Sequence, residues 1–342
     1  MVEFNSKVLE VKNLKTYFYL DEGILKAVDG VSFCIGEGEI TGIIGESGCG
    51  KSITALSIMR IIPPSARTTG EINFRGKGRD VIDITKLRKN GKELRNLRGK
   101  EISMIFQEPM TSLSPVHTIG NQIMEMVFLH ETRDKAKARE ITIEMLNVVG
   151  IPNPTQRINE YPHQLSGGMR QRAMIAMALC CDPSLLIADE PTTALDVTIQ
   201  AQILNLIQNL QEQFGMSILY ISHNLDVIAE ISDEVMVMYL GKIVEYTNTR
   251  EIFKNSLHPY TDGLLKSIPK IGRKARVRLD TIRGTVPIPL NQPQECGFYS
   301  RCSKAMKGIC DKNVPALVEI DKGHFVRCFL YGEGKDAYDK QQ

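Results

Sequence analysis

Residues 45–52 have the sequence GESGCGKS, which matches the phosphate-binding pattern G-x-x-x-x-G-K-[ST]. Glycines let the backbone curl so that successive N–H groups point at phosphate oxygens, and a following helix adds its positive N-terminal end. Lys51 would neutralise the β and γ phosphates of a nucleotide, and the Ser52 hydroxyl would bind Mg²⁺. The residues of this phosphate-binding loop that we predict to contact the nucleotide are Gly45, Ser47, Gly48, Gly50, Lys51 and Ser52.

Two adjacent carboxylates follow a second apolar run. Residues 185–188 read as a buried strand that leads into Asp189 and Glu190, at the carboxyl edge where α/β sheets bind ligands. Adjacent strand residues point in opposite directions, so the two carboxylates can have different roles. We predict that Asp189 binds Mg²⁺ and that Glu190 is the general base for an attacking water. Such a base typically contributes about 10²- to 10⁴-fold to the rate.

A Ser-Gly-Gly turn opens a helix-like stretch within residues 165–172, LSGGMRQR. The N-terminus of such a helix is a second anion-binding site, so one chain carries two helix starts suited to phosphate. A kinase with a phosphate-binding loop would not need this second turn.

The elements that must position these residues follow from the hydrophobic pattern. Short apolar runs separated by glycines, at 8–11, 31–35 and 40–44, are typical of strands. Helical spacing predicts a helix over 52–62, ended by Pro63 and Pro64, and a helical block over 121–149. Lastly, apolar runs at 184–189 and 217–222 bracket a predicted helix. Strand, helix, strand of that kind predicts a parallel α/β sheet.

Composition indicates a globular protein of 342 residues with 42% hydrophobic and 24% charged residues and a net charge of +2. The longest apolar run, 173–181, is about half of the roughly 18 to 20 residues that cross a bilayer. The start of the chain lacks the apolar region of a secretory signal, so we expect a cytosolic location. Basic clusters at 86–100 and 270–283 contain no interleaved aromatic residues for base stacking, so we predict solvated surfaces and no nucleic acid partner.

These motifs, in this order, resemble those of ATP-binding cassette (ABC) ATPases. The resemblance implies that Ser166 and Gly168 of one subunit contact the γ-phosphate held by the phosphate-binding loop of another. It implies that Gln107, which closes the apolar run 101–106, senses Mg²⁺ and the attacking water. His223 matches the switch histidine near the γ-phosphate, and Met169 departs from the usual Gln.

Two further matches to the ABC pattern concern the adenine and the subunit contact. Phe18 is the best match to the aromatic residue that stacks on adenine, with Tyr17 and Tyr19 as open alternatives. Residues 194–196, Ala-Leu-Asp, match the D-loop. The implied fold is α/β: an ABC-type core of 1–106 and 163–250 with an antiparallel β subdomain, an inserted α-helical subdomain at 107–162, and a small cysteine-rich module within 251–342.

Residues 107–115, 165–172 and 257–261, together with the cysteine-bearing tail, resemble the ATPase subunits of bacterial dipeptide and oligopeptide importers. Glu108 stands where that family often has Asp. The resemblance implies a peripheral protein on the cytoplasmic side of the cell membrane that hydrolyses ATP to power peptide import. It implies two membrane permease subunits contacted by 107–162, an extracellular peptide-binding protein, and a second ABC ATPase. Since this chain holds every catalytic element, homodimer and heterodimer both stay open.

The tail cysteines have the spacing C-x5-C-x7-C-x17-C, which is looser than that of zinc modules and unlike the ferredoxin pattern. Disulfides are rare in the cytosol, and four thiolates suit either Zn²⁺ or an iron–sulfur cluster. Resemblance to the peptide importers implies a structural [4Fe-4S] cluster on these residues. They are Cys296, Cys302, Cys310 and Cys328.

An alternative is a soluble ABC-class ATPase that acts on nucleic acid or ribosomes. Repair and chromosome members insert long coiled coils between the two phosphate motifs, and translation members carry two cassettes in one chain. The interval between Lys51 and Ser166 is too short for such coiled coils, and this chain has one cassette. The sequence therefore favours the transporter interpretation.

Overall fold

The structure is a computed structural model that describes residues 6–78, 80–107, 112–193, 195–268 and 282–331. It divides into two compact units. The first comprises the described parts of Met1–Glu10, Cys34–Ile40 and Asn73–Ile221, and the second those of Val11–Phe33, Thr41–Ile72 and Ser222–Gln342. The predicted D-loop residue Ala194, residues 108–111 and most of the basic cluster 270–283 lie outside the described residues.

The regular elements alternate between strands and helices along most of the chain. The strands are β1 Lys7–Leu20, β2 Gly23–Gly36, β3 Ile40–Ile44, β4 Ala66–Phe74, β5 Ile82–Asp83, β6 Ile102–Ile105, β7 Leu185–Asp189, β8 Ser217–Ile221, β9 Glu234–Tyr239, β10 Lys242–Asn248, β11 Val318–Asp321 and β12 His324–Val326. The helices are α1 Lys51–Ile58, α2 Lys92–Leu97, α3 Ile119–His130, α4 Lys135–Val148, α5 Pro154–Arg157, α6 Gly167–Leu179, α7 Val197–Phe214, α8 Leu225–Ile231, α9 Thr249–Lys254 and α10 Pro259–Lys266.

The core of the first unit is a parallel arrangement of β8, β7 and β6. Ile102 pairs with Leu185, and Leu185 pairs with Ser217. All residues of β7 and β8 are buried, as expected for strands covered on both faces. Helix α7, which connects β7 to β8 along the chain, buries its apolar face. The predicted strand, helix, strand unit at 184–222 is confirmed.

The helical block of the first unit contains α3, α4 and α5. Two helices begin at side-chain caps: the Thr118 hydroxyl accepts from Asn121 N–H, and the Asp134 carboxylate accepts from Ala136 N–H. The predicted helical block over 121–149 is therefore confirmed as two helices, with a break at residues 131–134.

The second unit contains a mixed sheet with the order β11-β12-β10-β9-β3. Here β3 and β9 run parallel, with Thr41 opposite Glu234, and β9 and β10 run antiparallel. Strand β12 then pairs antiparallel with β10, with Glu245 opposite Val326. The described end of the chain is thus joined to the same sheet that carries β3.

A separate four-stranded sheet of the amino-terminal region has the order β2-β1-β4-β5, and β4 and β5 pair antiparallel. The surface prediction for 86–100 is confirmed for five of its seven basic residues, since Lys86, Arg88, Lys89, Lys92 and Arg95 are exposed, whereas Arg98 and Lys100 are half-buried. Among the described residues, no helix combines the length and apolar character needed to cross a bilayer.

Candidate functional site

The phosphate-binding loop connects β3 to α1, and two of its glycines are required by geometry. The backbone of Gly45 has φ 153° and that of Gly50 has φ 105°, both in the region that disfavours other residues. A Cβ atom at Gly45 would lie 2.3 Å from the Met238 carbonyl oxygen, and one at Gly50 would lie 2.3 Å from the Ala27 carbonyl oxygen. The loop can therefore make its tight curl only with glycine at these two positions.

The predicted phosphate ligands of this loop lie at the start of α1. Lys51 is buried, and its Nζ donates to the carbonyl oxygens of Gly45 at 2.8 Å and Glu46 at 3.2 Å. Ser47 and Gly48 are exposed, and Ser52 occupies the first turn of α1. The loop thus places the N-terminus of α1 beside the exposed residues Ser47 and Gly48, as an anion site requires, and the Lys51 ammonium lies against the carbonyl oxygens of the same loop.

The two carboxylates at the end of β7 differ in their surroundings. Asp189 is the last residue of the strand and is buried, whereas Glu190 is half-buried and has a left-handed backbone with φ 48°. Residues other than glycine rarely adopt that conformation, which costs strain energy, and such residues cluster at functional sites. Strand β7 thus ends at Asp189, and the backbone changes direction at Glu190.

The Glu190 carboxylate is held by two donors. Its Oε2 accepts from the Gln107 amide at 2.9 Å and from the Thr193 hydroxyl at 3.0 Å. The structure thus brings together two of the residues predicted from the motifs, Gln107 and Glu190. Thr193 was missed by the sequence reasoning, although its position three residues after Glu190 in a turn is a signal that could have found it.

The Ser-Gly-Gly turn caps α6. The Ser166 hydroxyl accepts from Met169 N–H at 3.3 Å, and Ser166 and Gly167 are exposed. A Cβ at Gly167 would meet nothing within 4 Å, while one at Gly168 would lie 3.1 Å from the Ile199 side chain. The N-terminus of this 13-residue helix therefore faces solvent, where a group from outside the chain can approach it.

The remaining predicted nucleotide residues are in the second unit. His223 lies two residues after the end of β8 and is exposed. Phe18 is half-buried on the face of β1 opposite to its two tyrosine neighbours. The Tyr17 hydroxyl donates to Asp29, and the Tyr19 ring lies 5.2 Å from the Arg67 guanidinium. Both tyrosines thus have partners of their own, and the assignment of Phe18 to adenine stays a prediction.

All eight cysteines are free thiols, including the four of the tail. Cys296 N–H donates to the Cys310 carbonyl oxygen at 2.8 Å. Burial, together with the charges of neighbouring tail thiols, raises the pKa of Cys296 to about 11 and that of Cys328 to about 12. Within the ranges that the structure describes, however, no three Cys, His, Asp or Glu side chains are arranged to hold a metal ion. The tail cysteines are neighbours, but they do not form a ready ligand set.

One further contact of the phosphate-binding loop was not predicted. The Arg301 guanidinium, between Cys296 and Cys302 in the sequence, forms an ion pair with the Glu46 carboxylate at 2.6 Å. The sequence predicted only a metal-binding role for the segment that contains Arg301, and no local sequence pattern links Arg301 to Glu46.

A glycine-rich helix start, an acidic strand end with a bonded glutamine, and a capped Ser-Gly-Gly helix define an ABC-type ATPase. Comparison with known proteins agrees. The model of the family described as ABC transporter matches residues 28–193, and that of the family described as Oligopeptide/dipeptide transporter, C-terminal region, matches residues 244–310. We call residues 244–310 the carboxy-terminal region.

Curated relatives extend over nearly the whole chain. The oligopeptide transport ATP-binding protein AppD of Bacillus subtilis is 50% identical over 328 residues, covering 96% of this chain and 98% of that protein. The dipeptide transport ATP-binding protein DppD of the same organism is 47% identical over 326 residues, covering 95% of each. This chain belongs to the family of ATP-binding proteins of oligopeptide and dipeptide ABC transporters.

Solved structures support the same fold. The ATP-binding cassette MJ0796, solved as a dimer in a post-hydrolysis state bound to ADP and Pi, has a TM-score of 0.61 and 27% identity, covering 71% of this chain and 99% of that one. The structure of cbiO1 from Clostridium perfringens, part of the ABC transporter complex cbiONQ, has a TM-score of 0.60 and 28% identity. It covers 73% of this chain and 92% of that one.

Proposed function

We propose that this chain is the cytoplasmic ATPase subunit of an importer of dipeptides or oligopeptides. The observation that carries the proposal is the combination of an ABC nucleotide-binding set with the carboxy-terminal region of the peptide-transporter family. The peptide substrate is supported by relatives named for oligopeptide and dipeptide transport.

The nucleotide-binding residues have the chemistry for MgATP. Backbone N–H groups of residues 45–52 and the Lys51 ammonium bind the phosphates, and Phe18 stacks on the adenine. Ser52, Asp189 and Gln107 supply hydroxyl, carboxylate and amide oxygens, which are the donors that Mg²⁺ prefers. Bound Mg²⁺ would neutralise charge on the β and γ phosphates.

Hydrolysis depends on the carboxylate of Glu190. The Gln107 amide and the Thr193 hydroxyl fix the position of this carboxylate, which as general base orients a water and takes its proton. His223 contacts the γ-phosphate from the end of β8. In a second copy or a related ATPase, Ser166 and Gly168 complete the phosphate site in trans, and the exposure of Ser166 and Gly167 at the start of α6 supports this role.

Two membrane permease subunits, a second ABC ATPase and an extracellular peptide-binding protein complete the proposed importer. The proposed ATPase core consists of residues 1–106 and 163–250. The segment 107–162 begins at Gln107, which is proposed to sense Mg²⁺ and the attacking water. This segment therefore communicates to the permeases whether ATP is bound or hydrolysed. Hydrolysis removes the ATP that joins the two ATPases, so the dimer opens.

For the tail, within 251–342, we propose a [4Fe-4S] cluster on Cys296, Cys302, Cys310 and Cys328, with Zn²⁺ as the second choice. Support comes from four neighbouring thiols that form no disulfide, and burial and the neighbouring thiols raise the pKa values of Cys296, Cys302 and Cys328. A cation would reverse this effect by stabilising the thiolates. Metal analysis and the absorbance near 400 nm test the cluster, and Cys302→Ala is expected to lose iron. One equivalent of zinc without iron would overturn this assignment.

Reconstitution with its permeases tests the peptide-import function. ATP hydrolysis by the complex in vesicles is expected to rise when peptide and the peptide-binding protein are added. Lys51→Ala is expected to lose hydrolysis, and Lys254→Ala, at an exposed position of α9 outside 107–162, serves as the matched control. Stimulation by nucleic acid or ribosomes instead of peptide would favour the soluble ABC-class alternative.

A further inference from the structure

Glu46, the second residue of the phosphate-binding loop, is the point where the carboxy-terminal region contacts that loop. Arg301 donates from Nη1 to one carboxylate oxygen at 2.6 Å and from Nη2 to the other at 2.9 Å. The Arg301 side chain is 4% exposed and the Glu46 side chain 30% exposed. This is a two-pronged, charge-assisted contact, the geometry that fixes a carboxylate most strictly.

Arg301 is itself held in place by three other contacts. Its Nε donates to the Arg283 carbonyl oxygen at 2.8 Å, and Nη2 donates to that of Gly284 at 3.3 Å. Its Nη1 also donates to the Tyr239 hydroxyl at 3.3 Å. Because these contacts fix the Arg301 guanidinium independently of Glu46, the guanidinium determines the position of the Glu46 carboxylate.

The backbone of Glu46 is engaged as well. Its N–H donates to the Tyr260 hydroxyl at 2.9 Å, and its carbonyl oxygen accepts from Lys51 Nζ at 3.2 Å. Tyr260 is fully buried, and its ring packs 4.7 Å from Tyr239 and 5.4 Å from Phe298. Rigid aromatic side chains therefore support the same residue that receives the Lys51 ammonium.

We propose that Arg301 is a positioning residue for ATP binding, which acts through Glu46 to hold the phosphate-binding loop and Lys51 in their binding arrangement. The inference rests on the proposed role of residues 45–52 in phosphate binding. It assigns to the carboxy-terminal region a direct part in nucleotide affinity. Arg301 does not touch the reacting atoms.

Two physical effects make affinity, rather than the chemical step, depend on Arg301. A glycine-rich loop released from its anchor samples more conformations, and the nucleotide must then order it on binding. An unpaired Glu46 carboxylate would also repel the triphosphate, which carries the same charge sign. Both effects are overcome once MgATP is bound, so turnover at saturating ATP should change little.

The test uses the full chain and two measurements, equilibrium binding of a fluorescent ATP analogue with Mg²⁺ and steady-state ATP hydrolysis. Arg301→Met removes both hydrogen bonds to Glu46, together with those to Arg283, Gly284 and Tyr239, and keeps much of the volume. We expect its Kd and KM to rise about tenfold, the order of magnitude of one lost charge-assisted hydrogen bond, with kcat changed less than about twofold. Arg301→Lys restores the charge and one donor, and should recover part of the affinity.

A matched control separates positioning from general stability. Arg327 belongs to the same described tail and is partly buried, and it donates to the carbonyl oxygens of Ile243 at 2.9 Å and Pro315 at 3.1 Å. Arg327→Met should lower the melting temperature without raising Kd. The double variant Glu46→Gln with Arg301→Met should bind more tightly than Arg301→Met alone, because the repelling carboxylate is gone.

The possible outcomes are distinct. An unchanged Kd in Arg301→Met, while the original chain binds MgATP and Lys51→Ala does not, overturns the inference and leaves the proposed function intact. Equal increases of Kd in Arg301→Met and Arg327→Met, each with a lower melting temperature, also overturn it. Failure of the original chain to bind MgATP contradicts the proposed function itself. Should Arg301→Met not fold, the Kd of Arg301→Lys against that of Arg327→Lys decides.

Discussion

The catalytic role of Glu190 is tested by Glu190→Gln, which removes one charge and keeps size and backbone preference. Oε2 accepts from the Gln107 amide at 2.9 Å and the Thr193 hydroxyl at 3.0 Å. A carboxamide can turn its oxygen toward both donors, so these two hydrogen bonds are kept. The backbone at φ 48° is equally available to Glu and Gln. The substitution therefore removes the base with little disturbance of the turn.

The expected loss in kcat is about 10²- to 10⁴-fold, the contribution of a positioned general base. This range corresponds to about 2.7 to 5.4 kcal/mol of transition-state stabilisation, at about 1.36 kcal/mol for each tenfold. MgATP affinity should stay within about twofold, because the phosphate-binding loop is unchanged. With ATP bound and not hydrolysed, the chain should also accumulate as a closed dimer.

Single-turnover hydrolysis measures the chemical step, and size-exclusion chromatography with and without MgATP measures the dimer. Glu212→Gln, at an exposed position of α7, is the matched control and should hydrolyse ATP normally. Thr193→Val removes one of the two donors and should give a smaller loss than Glu190→Gln. Turnover by Glu190→Gln within about threefold of the original chain would show that another group takes the proton.

Three further predictions concern stability. Burial lowers the pKa of His258 to about 3, below the ordinary value near 6.5, so the unfolded chain binds more protons in that window. The contribution of His258 to the free energy of unfolding should thus be fully present above about pH 6.5 and fall by about 1.4 kcal/mol per pH unit toward pH 3. Urea unfolding at pH 7 and pH 5 measures this fall, and His258→Gln should show a smaller loss between the two. Glu245→Ala should destabilise the chain by about 3 kcal/mol or more in urea unfolding, because the fully buried carboxylate accepts three hydrogen bonds; a change below about 1 kcal/mol would contradict this. Gly50→Ala should lower the melting temperature more than Gly48→Ala, because only at Gly50 would a Cβ clash, 2.3 Å from a carbonyl oxygen; equal losses would argue against the clash.

Local patterns were enough to predict much of the α/β architecture. Strands β7 and β8 are continuous apolar runs bounded by turns, and their burial on both faces follows from that composition. The helix predicted over 52–62 instead ends at Ile58. Arg60 adopts a left-handed backbone with φ 52°, and periodicity carries no information on such a turn.

Contacts between distant segments could not be predicted. Glu46 and Arg301 are 255 positions apart, and a lone Glu within a glycine-rich loop has no pattern that names its partner. The same holds for Gln107 and Glu190, 83 positions apart, whose meeting follows from the parallel pairing of β6 with β7. The cysteine spacing identified neighbours in space and did not define how their sulfur atoms are arranged.

The pairing of β12 with β10 has a practical consequence for any shortened chain. A strand edge without a neighbour presents a row of unpaired N–H and C=O groups, which recruits strands of other molecules. A version ending before Val318 would uncover the β10 edge, including the stretch opposite Val326. Such a version would tend to aggregate during expression, so its low activity would report insolubility rather than the loss of a regulatory segment.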